Sequence, residues 1–195
     1  MDASEIYFFE KTTIAIESLK REGLILDIGG GGEGIMGRIG GSRVVAIDNR
    51  EEELLEAPPG PLKIVMDARN LKFVGNTFAL ATAFFAFMYF ENSDDVRSAL
   101  SEIYRVLRPE AQLHIWDVAL TERPDTEKEL FAVPLQCRFG SSVVETAYGC
   151  PWPDERRGCK YYSEIAEDAG FRHVRTDSNG MAFHSIFQKL ACRSS

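Results

Sequence analysis

At 195 residues, 45% of them apolar and 27% charged, the chain has the length and hydrophobic content for one globular domain with a sizeable core, and not for two. Its net charge of −8 argues against sequence-independent nucleic-acid binding, which draws on Lys and Arg to displace phosphate counterions. The longest apolar run, Phe78 to Phe90, is interrupted by Thr82 and falls short of the roughly 20 residues that span a bilayer.

The start, Met1-Asp2-Ala3-Ser4-Glu5, lacks the basic and then apolar pattern of an export signal, so a cytoplasmic location with no membrane association is expected. Cys137, Cys150, Cys159 and Cys192 form no CxxC pair and are expected as free thiols. His114, His173 and His184 give them no recognisable ligand spacing, and no metal is expected.

From Ser4 to Arg21, apolar residues at Phe8, Ala15 and Leu19 and at Phe9 and Ile16 match one face of a helix, ended by Gly23. Leu24 to Ile28 is a buried strand followed by a glycine cluster, Gly34 to Ile39 a short helix, and Val44 to Ile47 a second strand stopping at Asp48. The rhythm repeats: Glu51 to Glu56 is a helix halted by Pro58 and Pro59, and Leu62 to Val65 and Leu80 to Phe85 are strands. Ser93 caps a helix from about Asp94 to Leu107, and Leu113 to Trp116 is a fifth strand. This alternation predicts a doubly wound α/β sheet with helices on both faces.

The last third departs from it. Val133 to Phe139 and Ser142 to Tyr148 flank Gly140 as a hairpin inserted after the fifth strand. The segment 121–159 reads either as a cap on the acceptor side or as a hairpin that covers apolar surface on the sheet or mediates dimerisation. Cys150 to Cys159 is loop, Tyr161 to Ala169 a helix closed by Gly170, and Phe171 to Thr176 with Phe183 to Leu190 a final antiparallel pair.

The stretch Leu24-Ile25-Leu26-Asp27-Ile28-Gly29-Gly30-Gly31-Gly32-Glu33-Gly34 carries the chemistry. Glycines at a strand end let backbone approach a ligand, and the helix that follows offers unpaired N–H groups to an anion. Asp48, about 19 residues after Gly29, ends the neighbouring strand, where its carboxylate can accept both hydroxyls of a ribose. Together they describe a nucleoside pocket. Gly29, Gly31 and Gly34 also satisfy GxGxxG, so a nicotinamide-dependent oxidoreductase stays open at this point.

The run Leu-Asp-Ile-Gly-Gly-Gly-Gly resembles the first motif of the class I S-adenosylmethionine-dependent methyltransferases. Val44-Val45-Ala46-Ile47-Asp48 is similar to that family's second-strand motif, Met66-Asp67-Ala68 to its third and Asn76-Thr77-Phe78 through Tyr89 to its fourth. Tyr104-Arg105-Val106-Leu107-Arg108-Pro109 matches the helix end before strand five. The resemblance implies a Rossmann-like, mostly parallel seven-stranded sheet in the order 3-2-1-4-5-7-6 with strand 7 antiparallel. It implies S-adenosylmethionine as cofactor, with Asp27 and the Gly29, Gly30 and Gly31 backbone at the methionine moiety. Asp48 would then take the ribose, Asp67 with the Ala68 backbone the adenine, and Phe84 would adjoin the cofactor. Glu33 departs from the pattern, standing where the family commonly has a third glycine; Ala79, Glu110 and Ala111 are further departures.

On the acceptor side, Tyr89 follows the fourth strand and Asp117 ends the fifth; Tyr7, Trp152, Tyr161 and Tyr162 are candidate lid residues. His114 reads as a packed core histidine rather than a base. The expected function is methyl transfer by a single domain spanning 1–195, monomeric or homodimeric. A small-molecule acceptor is favoured over a protein side chain, and nucleic acid is not expected. A non-catalytic cofactor sensor or scaffold is the alternative outside enzymology.

Overall fold

Ile25–Ile28 and Val44–Asp48 carry apolar residues in succession rather than in alternation, which suits strands covered on both faces, and they pair in parallel. In the computed structural model, which describes residues 5–17, 19 and 21–191, the elements in chain order are β1 (Ile6–Phe8), β2 (Thr12–Ala15), β3 (Ile25–Ile28), α1 (Ile35–Gly40), β4 (Val44–Asp48) and α2 (Glu51–Glu56). There follow β5 (Leu62–Val65), β6 (Phe78–Phe84), α3 (Ser93–Val106), β7 (Leu107–Val118), β8 (Leu130–Phe139), β9 (Ser142–Pro151), α4 (Cys159–Asp168), β10 (Phe171–Asn179) and β11 (Ala182–Lys189).

Seven of these strands form one sheet in the order β5-β4-β3-β6-β7-β11-β10, parallel from β5 to β7 and antiparallel on to β11 and β10. Numbered by themselves along the chain, they read 3-2-1-4-5-7-6. Order reverses on either side of β3, so the crevice at its carboxyl end is the topological switch point where ligands of open α/β sheets bind.

The N-terminal segment forms strands, not the helix expected from Ser4 to Arg21. Thr12, Ile14 and Ile16 are buried while Thr13, Ala15 and Glu17 are exposed, a period of two on β-branched side chains that overrides the looser helical spacing. β1 and β2 both run parallel to β8, Ile6 opposite Leu130 and Thr12 opposite Leu135, while β9 pairs antiparallel on the other side of β8. The hairpin turn rests on Gly140, whose φ of 55° suits the tight connection to Ser142.

This second sheet is part of the core. Leu26, Ile28, Val45, Ile47, Ala81 and Ala83 face one way, onto α3 and α4. Ile25, Val44, Ala46, Leu80 and Trp116 face the other, onto α1 and the inner residues Ile14, Phe131, Val133, Leu135 and Cys137 of the second sheet. The hairpin therefore covers apolar surface where a layer of helices was expected.

Two boundaries also differ. The α3 cap is Asn92, not Ser93: the Asn92 side chain accepts the Asp95 N–H at 3.0 Å. β7 begins six residues earlier than its apolar run, at Leu107, and Glu110 sits at a φ of 64° where the pairing with β6 shifts register. Cys137, Cys150 and Cys159 are free thiols; Cys192 lies outside the described residues. Among the described residues no group of three or more His, Cys, Asp or Glu could hold a metal ion, and no helix is long and apolar enough to cross a membrane.

Candidate cofactor site

The glycine turn leaves the end of β3 between the ends of β4 and β6. Gly29 has a φ of 67°, and a Cβ there would lie 2.7 Å from the Ala86 Cβ. A Cβ on Gly30 would meet Ala46 and the Asp27 Oδ2, each at 2.7 Å; one on Gly31 would meet the Glu53 Cβ at 2.5 Å and the Asp48 Oδ2 at 3.1 Å. Only glycine fits this close approach. The turn is fixed by Gly30 N–H to the Ile47 carbonyl and Gly32 N–H to the Glu53 carbonyl, which seat it on β4 and α2.

Asp27 and Asp48 are thus brought to the two sides of one turn. Asp27 is buried, accepts the Thr82 hydroxyl at 2.7 Å, and its carboxyl is pushed up to about 7, chiefly by burial. Thr82 pulls that value down and the charge of Asp48 pushes it up. Asp48 is half-buried; its Oδ1 accepts the Arg50 N–H at 3.0 Å, and its Oδ2 lies over Gly31. Such a pair of acceptors fits a ligand with an ammonium group at one end and vicinal hydroxyls in the middle.

Asp67 stands beside this pair, since Met66 N–H donates to the Asp48 carbonyl at 2.8 Å. Both Asp67 oxygens accept from Arg69, whose side-chain hydrogen bonds hold the carboxyl below its ordinary range; Arg69 in turn reaches Asp95 at 2.8 Å. The Asp67 side chain stays 41% exposed, leaving its oxygens room for a further donor. The Ala68 side chain belongs to the core.

The aromatic residues at the end of β6 and just after it are gathered beneath the hairpin. Phe84 is in the core, 5.2 Å from Phe85 and 6.0 Å from Tyr148 between ring centres. Tyr89 is half-exposed; its hydroxyl accepts the Gly149 N–H at 3.3 Å, and burial of the hydroxyl pushes its pKa up to about 12. Asp117 is fully buried and faces backbone rather than open space, accepting Met88 N–H at 3.1 Å and Val118 N–H at 2.8 Å. Burial first, eased by those N–H groups, puts its pKa at about 7.

Of the candidate lid residues, Tyr7 and Trp152 pack together with Phe9, Tyr161 donates to Glu155, and Tyr162 is fully buried. His114 contacts His184 at 3.2 Å and Gln112 at 3.3 Å beside a cavity of about 490 Å³ under β2. Burial, then His184, depresses its pKa to about 3, so it is neutral.

Sequence reasoning missed the partners. Thr82 gave a signal as the lone aliphatic hydroxyl in the Phe78–Phe90 run. Arg69 and Glu53 gave none, since charged residues after a strand or on a short helix are ordinary surface.

Residues 26–115 match the methyltransferase domain family. Among curated proteins no sequence match is found. Among solved structures, the fold is similar to that of a SAM-dependent methyltransferase from Methanosarcina mazei, at 20% identity over 89% of this chain and 95% of that one, with a TM-score of 0.65. It is similar to one from Aquifex aeolicus at 21% identity (89% and 85% covered, TM-score 0.61) and one from Clostridium acetobutylicum at 12% (86% and 84%, TM-score 0.62). At these identities the structural likeness is one of fold. The domain match runs through the glycine turn and the carboxylates at the ends of two strands, and the fold around them is similar to that of S-adenosylmethionine-dependent methyltransferases.

Proposed function

We propose that the chain transfers the sulfonium methyl group of S-adenosylmethionine to a small-molecule acceptor held between the glycine turn and the β8–β9 hairpin. The observation that carries this reading is the convergence of Asp27, Gly29 to Gly31 and Asp48 at the switch point of the sheet, with the hairpin packed beside them.

When bound, the cofactor supplies a methyl group already activated by its positive sulfur. The protein's own contribution is binding, orientation and exclusion of water. Asp27, once ionised, holds the ammonium of the methionine end, and the Gly29 to Gly31 backbone admits its carboxylate. Asp48 accepts the ribose hydroxyls through its Oδ2, and Asp67 with the Ala68 backbone flanks the adenine. Phe84 backs this arrangement from the core. Tyr89, neutral at physiological pH, can orient an acceptor through its hydroxyl, while Asp117 sets the turn that carries Tyr89.

A small acceptor suits the acidic chain and a crevice walled by a packed hairpin; nucleic acid does not. Calorimetric titration with S-adenosylmethionine, S-adenosylhomocysteine and NAD tests the site, and mass spectrometry of products from a panel of small acceptors tests the transfer. Binding of NAD with no response to S-adenosylhomocysteine overturns the first. Tight cofactor binding without turnover across a broad panel favours a sensor over an enzyme.

A further inference from the structure

Glu33 is where the glycine turn meets the hairpin. Gly32 and Gly34 on either side have φ values of 55° and 56°, so the chain reverses around it, and its own carbonyl is anchored by Arg38 Nε at 2.7 Å. Its side chain runs toward β9, where Oε1 accepts the Thr146 hydroxyl at 2.5 Å and Oε2 the Tyr148 hydroxyl at 3.2 Å. Thr146 and Tyr148 are two residues apart on one strand and so share a face.

The contact continues into the aromatic cluster. The Tyr148 ring stacks on Phe85 with centres 5.3 Å apart and planes inclined by 10°, and the next residue, Gly149, donates its N–H to Tyr89. One carboxylate thereby joins the cofactor turn to the inner face of the hairpin, and through Tyr148 and Gly149 to Phe85 and Tyr89. Two hydroxyls on one carboxylate are charge-assisted hydrogen bonds, stronger than neutral ones and directional. A glycine at this position would leave the turn with no side chain to reach the hairpin.

We propose that Glu33 is a positioning residue that couples the hairpin to the glycine turn, so that filling the cofactor site tightens the wall against which the acceptor is held. The inference rests on the reading of the turn as the S-adenosylmethionine site. Energetic coupling between two sites needs a physical element that both of them bias, and Glu33 is bonded to each.

Hydrogen–deuterium exchange with S-adenosylhomocysteine as the probe decides it. In the wild type, the ligand should slow exchange both in a peptide covering residues 28–35 and in one covering 142–151. In Glu33→Ala the turn should still be protected by saturating ligand, while the protection of 142–151 is lost and the dissociation constant rises by about fivefold or more. Glu33→Gln keeps one acceptor oxygen, and its amide can donate to the Tyr148 phenol, so it should retain most of the hairpin response. The double change Thr146→Val with Tyr148→Phe removes the same two bonds from the other side; it should reproduce Glu33→Ala, and adding Glu33→Ala to it should change nothing further.

Should Glu33→Ala fail to fold, the double variant and Glu33→Gln carry the comparison. Hairpin protection that persists in Glu33→Ala or in the double variant overturns the coupling, as does a wild type in which the ligand protects the turn alone. A wild type that binds no S-adenosylhomocysteine overturns the cofactor reading itself and the coupling with it, and is seen before any variant is made.

Discussion

The Thr82 hydroxyl donates to Asp27 Oδ1 at 2.7 Å, across the seam where β6 and β3 place the two residues directly opposite one another. With the Asp27 carboxyl at about 7, half of it is protonated near neutral pH in the free protein. The ammonium of the cofactor needs the ionised form. Affinity for S-adenosylhomocysteine should therefore rise about tenfold per pH unit below 7 and level off above it. Thr82→Val, which removes the bond that favours the charged form, should move that midpoint upward. Calorimetry across pH 5.5 to 8.5 measures both; an affinity independent of pH over that range removes Asp27 from contact with the ammonium.

Asp117 and Asp27 share a sign of pH dependence that is opposite to the common one. Both have folded-state values near 7 against an ordinary value of 3.8, so between those limits the folded chain holds protons that the unfolded chain has lost. Stability should fall as pH rises from about 4 to 7, by up to about 4 kcal/mol for each group, and be flat above. Asp117→Asn, still able to accept the Met88 N–H, should flatten its share of that slope. Urea denaturation at pH 5 and pH 8 distinguishes the cases. Asp67, Glu102 and Glu145, whose carboxyls are lowered, act in the other direction and only as pH falls below about 4.5.

Asp48→Ala should leave the fold intact, because the residue is half-buried at a strand end, and weaken S-adenosylhomocysteine binding by about tenfold or more, the worth of a charge-assisted pair of hydrogen bonds. Circular dichroism with calorimetry checks both halves. Unchanged affinity in a folded variant takes Asp48 out of the site.

Arg157 is 1% exposed and donates to the Phe90 and Glu91 carbonyls, which fixes the segment after Tyr89, and its backbone bridges to Leu120. Arg157→Leu strips both carbonyls of their donor and should cost about 3 kcal/mol in chemical denaturation. A loss below about 0.5 kcal/mol would mean that water replaces the guanidinium at no cost.

Replacing 121–159 by a short linker should not yield a folded cofactor-binding core. Phe131, Val133, Leu135 and Cys137 are each at most 1% exposed and cover Ile14, Phe84, Phe85 and Trp116, which the deletion would lay open. Light scattering and near-ultraviolet circular dichroism should show an aggregating chain without fixed aromatic packing; a monomeric, cooperatively melting variant would contradict this.

What the sequence disclosed and what it hid divide along physical lines. The runs at Ile25–Ile28 and Val44–Asp48 were readable because a buried parallel strand is apolar on both faces and is bounded by glycine or aspartate. Thr12 to Glu17 was misread because alternation over six residues and a helical stripe over eighteen can coexist in one stretch, and only pairing with β8 decides between them. No local signal announces a partner so far along the chain. Within the site, Asp27, Gly29 to Gly31 and Asp48 were legible because backbone approach and strand-end position restrict residue type. The bonds from Glu33 to Thr146 and Tyr148, and from Arg69 to Asp67, depend on which loops the fold brings together, and composition is silent on that.

The parallel pairing of β1 and β2 with β8 has a consequence for the order of assembly. Ile6 meets Leu130, so β1 and β2 leave the ribosome and wait for a partner made about 120 residues later, after β3 to β7 have been synthesised. Until then Thr12, Ile14 and Ile16 present an unpaired, alternately apolar edge to whatever strand is nearest. A nascent chain stalled short of β8 should therefore be the most aggregation-prone species this protein passes through, and the hairpin is the segment whose arrival ends that exposure.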